Sequence, residues 1–186
     1  MTVLPHPHTW WQWTLVALTV PYVPVIAALL AGMRRLPRSA RLADDACVPV
    51  TVLVSARNEE RDLPRCIASL LALDYPAGKL QVVLVDDFST DATGAIIDAT
   101  AASHAHVVAL HSATLPPNGL EAKARGIAHG FTRATGDWVL ITDADAGVHP
   151  QWVRHMLGRV SPRTGMTGGT VVVDADGAIG TIERIS

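Results

Sequence analysis

The sequence predicts an α/β domain on a mostly parallel sheet, preceded by a transmembrane helix. Three observations predict it. Strand-like and helix-like segments alternate strictly after residue 47, as in helix-covered parallel sheets. Residues 10–31 form an uncharged apolar run long enough to cross a bilayer. Acidic residues recur just after the strand-like segments, where open α/β sheets bind ligands.

The chain has 186 residues, enough for one domain plus an anchor, and a hydrophobic fraction of 49%, a large share of it before Gly32. A formal charge of −2 with dispersed Lys and Arg argues against a nucleic-acid surface. Cys47 and Cys66 match neither a metal-site spacing nor a disulfide scaffold and read as two reduced thiols.

Residues 10–31 read WWQWTLVALTVPYVPVIAALLA. Trp10, Trp11 and Trp13 crowd one end, where indoles settle at headgroup level, and Arg34, Arg35, Arg38 and Arg41 follow the other. Residues 1–9 carry no Lys or Arg, so the bias places a short N-terminus outside, a span over 10–32, and the rest in the cytoplasm, a single-pass arrangement in the cell membrane. A signal peptide would carry its positive charges before the apolar run. Pro21 and Pro24 disfavour a buried core helix but are tolerated in membrane helices, which can kink.

A basic, proline-containing linker over 33–47 leads into the domain, 48–186. Residues 48–55, VPVTVLVS, are nearly continuously β-branched or apolar and predict a buried strand. Residues 59–73 place Leu63, Ile67, Leu70 and Leu71 near helical spacing and stop at Asp74-Tyr75-Pro76. The pattern then predicts a strand at 80–85, a helix at 92–102 with Asp91 as N-cap, a strand at 107–110, a helix at 120–133 and a strand at 138–142. A helix at 150–160 and a β-like run at 166–173 follow. His104, His106 and His111 read as surface or core residues, with no acidic partner at a matching spacing, and Trp138 and Trp152 as core or interface aromatics.

Three strand ends carry acids: Asn58-Glu59-Glu60 after the first, Asp86-Asp87 with Asp91 after the second, and Asp143-Ala144-Asp145 after the fourth. Gathering carboxylates at one sheet edge is costly without compensation, so a cation or donor-rich ligand is expected among them. Hard oxygen donors favour Mg2+ or Mn2+. Asp143 and Asp145, two apart on an extended strand end, point the same way and can reach one ion or diphosphate. Asp87 and Asp91 also suit helix capping, and Asp143 and Asp145 also suit a turn before Gly147.

The succession Ser55-Ala56-Arg57-Asn58-Glu59-Glu60, Val85-Asp86-Asp87-Phe88-Ser89-Thr90-Asp91, Lys123, and Gly136-Asp137-Trp138 leading into Asp143-Ala144-Asp145 resembles the nucleotide-sugar-binding half of family 2 glycosyltransferases. The resemblance covers about residues 48–173 and implies the Rossmann-like GT-A fold. It implies that Glu59 and one or both of Asp86 and Asp87 contact the base and ribose of a uridine or guanosine diphosphate sugar, with Lys123 lining the same pocket. It implies further that Asp143 and Asp145 hold Mg2+ or Mn2+ against the diphosphate during inverting transfer to an acceptor.

Two positions depart from the family pattern: Arg57 stands where many relatives carry Tyr, and Ala128 where many carry Asn. Family members continue into an acceptor half with a catalytic carboxylate and often a Gln-x-x-Arg-Trp helix. The chain is therefore expected to lack that half, its catalytic residue is left unassigned, and Asp174, Asp176 and Glu183 fall too early to match the base. The alternative is a membrane-anchored protein that keeps the pocket or fold as a non-catalytic binding or scaffold partner. Haloacid-dehalogenase and receiver chemistries also use Asp at strand ends, but neither accounts for this motif order.

Overall fold

The structure is a computed structural model that describes residues 10–34 and 42–169. It divides into two compact units, Met1–Arg38 and Ser39–Ser186.

In the first unit the predicted single helix is two, α1 (Trp10–Thr19) and α2 (Tyr22–Arg34), separated by a turn at Val20 and Pro21. Pro21 has no N–H for the ladder, which explains the break, and Pro24 lies in the first turn of α2, where proline costs little. Thr19 Oγ1 donates to the Leu15 and Val16 carbonyls at 2.9 and 3.1 Å, hiding its hydroxyl against the backbone. The 20-residue stretch Trp13–Gly32 is long and apolar enough to cross a membrane. Arg35, Arg38 and Arg41 lie outside the described residues.

The second unit contains β1 (Val50–Ala56), α3 (Leu63–Leu71), β2 (Leu80–Asp86), α4 (Thr93–Ser103), β3 (Val107–His111), α5 (Ala122–Phe131), β4 (Trp138–Asp143) and α6 (Trp152–Leu157). The four strands form one parallel sheet in the order β3-β2-β1-β4. The apolar run of β1 is buried on both faces, as central parallel strands require. Side chains alternate between the faces. Val52, Val54, Val82 and Leu84 join Leu63, Ile67, Leu70, Ile97, Val153 and Leu157 in one core, and Val83, Val85 and Leu110 form a smaller one.

Helix α5 covers the second face at unusually short range. A Cβ on Gly130 would stand 2.3 Å from Leu53 Cδ1, and one on Gly126 would meet the Ser55 side chain. Two glycines one turn apart thus let the helix sink onto β1 and β2.

The elements differ from expectation chiefly at their ends. Helix α3 starts at Leu63 rather than residue 59, because loop backbone groups bond elsewhere: Glu59 N–H donates to Thr93 Oγ1 at 2.8 Å and Glu60 N–H to Asp91 Oδ2 at 3.2 Å. Pro64 then opens the helix. Helix α6 is shorter than the predicted 150–160. The β-like run expected at 166–173 is not a strand over residues 166–169, and the remainder lies outside the described residues. Gly165, Gly168 and Gly169 weaken strand formation there, and Met166 is 89% exposed.

Candidate nucleotide-sugar site

The chain runs outward from β1 through β2 to β3 and then returns to place β4 on the opposite side of β1. The switch point therefore lies between β1 and β4, and its carboxyl end is where a crevice is expected. Register assembles the chemistry: Ser55 pairs with Asp143, Ala56 with Asp86, and Asp86 with His111. A cleft of about 280 Å3 opens there, lined by Ser55, Ala56, Arg57, Glu59, Asp87, Lys123, Asp143, Ala144 and Asp145.

Asp87 is the buried carboxylate of the cleft, 1% exposed, with its N–H donating to the Ala56 carbonyl at 2.8 Å. Arg125 grips it bidentately, Nε to Oδ1 at 2.9 Å and Nη2 to Oδ2 at 3.0 Å. The guanidinium also lies 4.4 Å from the centre of the Phe88 ring, a cation–π contact. Its bonds to Asp87 hold the Arg125 pKa above its already high value. Nothing in the sequence reading singled out Arg125; its place two residues after Lys123 at the start of a helix packed by Gly126 was the available signal.

Asp86 is oriented differently. Its Oδ1 accepts Ser89 N–H at 3.0 Å, its Oδ2 faces His111 Nδ1 at 3.1 Å, and it does not line the cleft. His111 also contacts Asp98 Oδ1 through Nε2 at 2.9 Å, so the expectation that it lacks acidic partners is corrected. The pairing comes from β2–β3 register and the packing of α4, neither visible in linear spacing. His104 instead bonds the Thr100 carbonyl and stacks edge-on with His106.

The first two loops are stapled together. Asn58, in the left-handed region at φ 57, accepts Thr90 N–H at 2.8 Å and donates its own N–H to Ser89 Oγ at 3.0 Å. Glu60 Oε2 accepts Ala92 N–H at 3.1 Å, while Asp91 Oδ1 accepts Thr93 N–H at 3.0 Å. Asp91 thus serves the start of α4 as expected, although Ala92 occupies the cap position itself. The bond from Thr93 lowers the Asp91 pKa. Glu59 is left facing the cleft with its pKa raised, first by burial and then by the charges of Asp145, Asp62, Asp91 and Asp143.

At the other end of the cleft, Lys123 Nζ bonds Asp143 Oδ1. Asp145 is exposed beside it, and its carbonyl accepts Arg65 Nη2 at 2.5 Å. Buried Cys66, pushed up to about 11 first by burial and then by Asp145, backs this turn through a weak contact from Sγ to the Asp143 carbonyl at 3.5 Å.

Among the described residues no group of three or more His, Cys, Asp or Glu converges on a metal position. The exposed hard carboxylates of Asp143, which draws the Lys123 ammonium, and Asp145 fit a Mg2+ or Mn2+ ion that would take its remaining ligands from other donors.

Residues 51–180 match the family model "Glycosyl transferase family 2". The chain belongs to glycosyl transferase family 2. It is similar to the beta-monoglucosyldiacylglycerol synthase of Synechocystis sp., 29% identical over 158 residues, covering 82% of this chain and 32% of that protein. It is also similar to the succinoglycan biosynthesis protein ExoO of Rhizobium meliloti, 31% identical over 132 residues, covering 71% of this chain and 34% of that one. Among solved structures, the mannosyltransferase PcManGT from Pyrobaculum calidifontis, in complex with GDP-Man and Mn2+, superposes with a TM-score of 0.64 at 26% identity, covering 80% of this chain and 44% of that one. The parallel α/β unit is thus a GT-A domain of family 2. The chain spans about a third of the length of these two curated relatives.

Proposed function

We propose that the cleft binds a nucleoside diphosphate sugar, from a uridine or guanosine diphosphate donor, and that the whole protein transfers the sugar to an acceptor with inversion. The carrying observation is the gathering of Glu59, Asp87, Lys123, Asp143 and Asp145 around one cleft at the switch point of a family 2 domain. The likeness to a mannosyltransferase solved with GDP-Man and Mn2+ supports both donor class and ion class.

Each residue has a role its setting suits. Asp87, held rigid by Arg125, keeps lone pairs free to accept N–H or O–H groups of a base or ribose. Glu59 lies within the same cleft and serves the same end of the donor. Asp143 and Asp145 would hold the divalent ion, which supplies Lewis-acid stabilisation of the diphosphate's developing charge. Lys123 places an ammonium next to that position and adds to the same stabilisation. Inverting transfer also requires a carboxylate to take the acceptor's proton; we assign that role to no residue of the cleft.

We read the chain as a short non-cytoplasmic segment 1–9, a span over 10–32, a basic linker 33–47 and a cytoplasmic domain 48–186, supported by the apolar stretch and the arginines after it. Calorimetry of the full chain with UDP- and GDP-sugars, with Mn2+ and with chelator, tests the donor reading. Metal-dependent binding is expected, and no binding of either donor with Mn2+ would sink it.

A further inference from the structure

His111 closes β3 directly opposite Asp86, the last residue of β2. Its two ring nitrogens face Asp86 Oδ2 and Asp98 Oδ1 at 3.1 and 2.9 Å. Ionised carboxylates only accept hydrogen bonds, so both contacts form together only when both nitrogens carry protons. The ring is then an imidazolium clamped between β2 and α4. Gly94 completes the enclosure: a Cβ there would stand 3.1 Å from Asp86 Oδ2 and 3.4 Å from His111 Cε1. Among the described residues the charged groups facing the ring are Asp86 from β2 and Asp98 from α4. The short helix Ser112–Thr114 offers only the Thr114 hydroxyl, which donates to the His111 carbonyl at 2.9 Å.

Asp86 is the anchor of the turn that follows β2. Its Oδ1 accepts Ser89 N–H, closing the turn that carries Asp87 and Phe88 to the Arg125 side. The turn is conformationally demanding, since Phe88 sits at φ 61, a region that bulky residues occupy only when their surroundings hold them there.

We propose that His111 is a positioning residue of the donor site: its imidazolium, bridging Asp86 and Asp98, holds the turn after β2 in the shape that presents Asp87, gripped by Arg125, to the nucleotide. The inference rests on the nucleotide-sugar reading of the cleft. Losing the ring proton leaves one carboxylate facing a lone pair, and the anchor weakens. The hydrogen bond to Asp98, followed by that to Asp86, raises the His111 pKa against the opposing effect of burial, so the clamp persists to higher pH than a free histidine allows.

The test titrates UDP and GDP, each with Mg2+, into the full chain in detergent micelles from about pH 6 to about pH 8.5. The ligand's own phosphate titration is common to every variant, so the readout is the ratio of wild-type affinity to that of His111→Gln. The ratio should be several-fold at the acid end and approach unity at the alkaline end. Asp98→Asn, away from the cleft, should match wild type at the acid end and, as pH rises, lose its advantage at a lower pH than wild type does. A ratio constant with pH, or an Asp98→Asn profile coincident with wild type, overturns the proposal. If neither nucleotide binds at any pH, the donor reading has failed, and NMR without nucleotide decides on His111. Asp87 and Ser89 amide shifts that titrate with the His111 ring sustain the positioning role, and amides that ignore the ring refute it.

Discussion

Gly130→Ala sets two effects of opposite sign against each other. Alanine exceeds glycine in helix propensity by about 1 kcal/mol, so propensity alone makes the variant more stable. The new Cβ would lie 2.3 Å from Leu53 Cδ1, 2.8 Å from its Cγ and 3.2 Å from Val85 Cγ2. Carbon atoms pack at about 3.5–4.0 Å, and both Leu53 and Val85 are fully buried, so neither wall has open space to retreat into. Overpacking costs about 1–3 kcal/mol, and two blocked walls argue for the upper half of that range. The net expectation is a loss of about 1–2 kcal/mol, which for a domain of this size lowers Tm by about 2–8 °C. The assay is thermal unfolding of the full chain in micelles followed by circular dichroism. Because α5 carries Lys123 and Arg125, nucleotide affinity should fall as the helix is pushed outward. Adding Leu53→Val should recover part of the loss, the coupling expected of residues in contact. A Tm equal to or above wild type would refute the close-packing argument.

Asp145→Ala should abolish the metal dependence of nucleotide-sugar binding, read by calorimetry with Mn2+ and with chelator; undiminished dependence would move the ion elsewhere. A reporter fused after Gly32 should behave as cytoplasmic, and its glycosylation or oxidation would reverse the topology. Arg154, 2% exposed, donates to the Asp74 and Leu42 carbonyls at 2.6 and 2.8 Å, so Arg154→Ala, which leaves them without that donor, should cost about 1–3 kcal/mol of stability, measured as a lowered Tm. The folded pKa of His111 is raised, so its contribution to stability is present below the unfolded value of about 6.5 and lost as pH rises through the folded value. Wild-type Tm should therefore fall relative to His111→Gln as pH passes above neutral, and parallel Tm profiles would show that His111 is not the titrating group.

The alternation of strands and helices was legible because a parallel sheet covered on both faces demands continuous apolar strands, and VTVLVSA in β1 could satisfy little else. Helix ends were less legible, because they are decided by partners distant in sequence. The start of α3 depends on Thr93 and Asp91, thirty or more residues downstream, bonding the backbone of Glu59 and Glu60. The cleft shows the same division. Glu59, Asp87, Asp143 and Asp145 meet at one sheet edge because each lies at or just after a strand end, whereas Lys123, on α5, was expected there only from the family resemblance. The different orientation of Asp86, the grip of Arg125 on Asp87 and the clamp on His111 depend on register and on the depth to which Gly126 and Gly130 let α5 settle.

That depth polarises the cleft. At the Asp87 end, Arg125 meets the carboxylate with two hydrogen bonds and rests on Phe88, so the charge is compensated, a setting for a hydrogen-bonding group such as a base. At the other end Lys123 answers only one oxygen of Asp143, and Asp145 stands exposed. The raised pKa of Glu59 registers the imbalance, because Asp145 is its largest charge contribution after burial and Asp143 adds to it. Added positive charge between Asp143 and Asp145 is therefore favoured, and on the proposed function an anion arriving with its own divalent ion would be accepted where a bare diphosphate would be repelled. On the proposed function, a nucleoside diphosphate carrying Mg2+ or Mn2+ would match both ends at once, with its base at the compensated end and its phosphates at the uncompensated one.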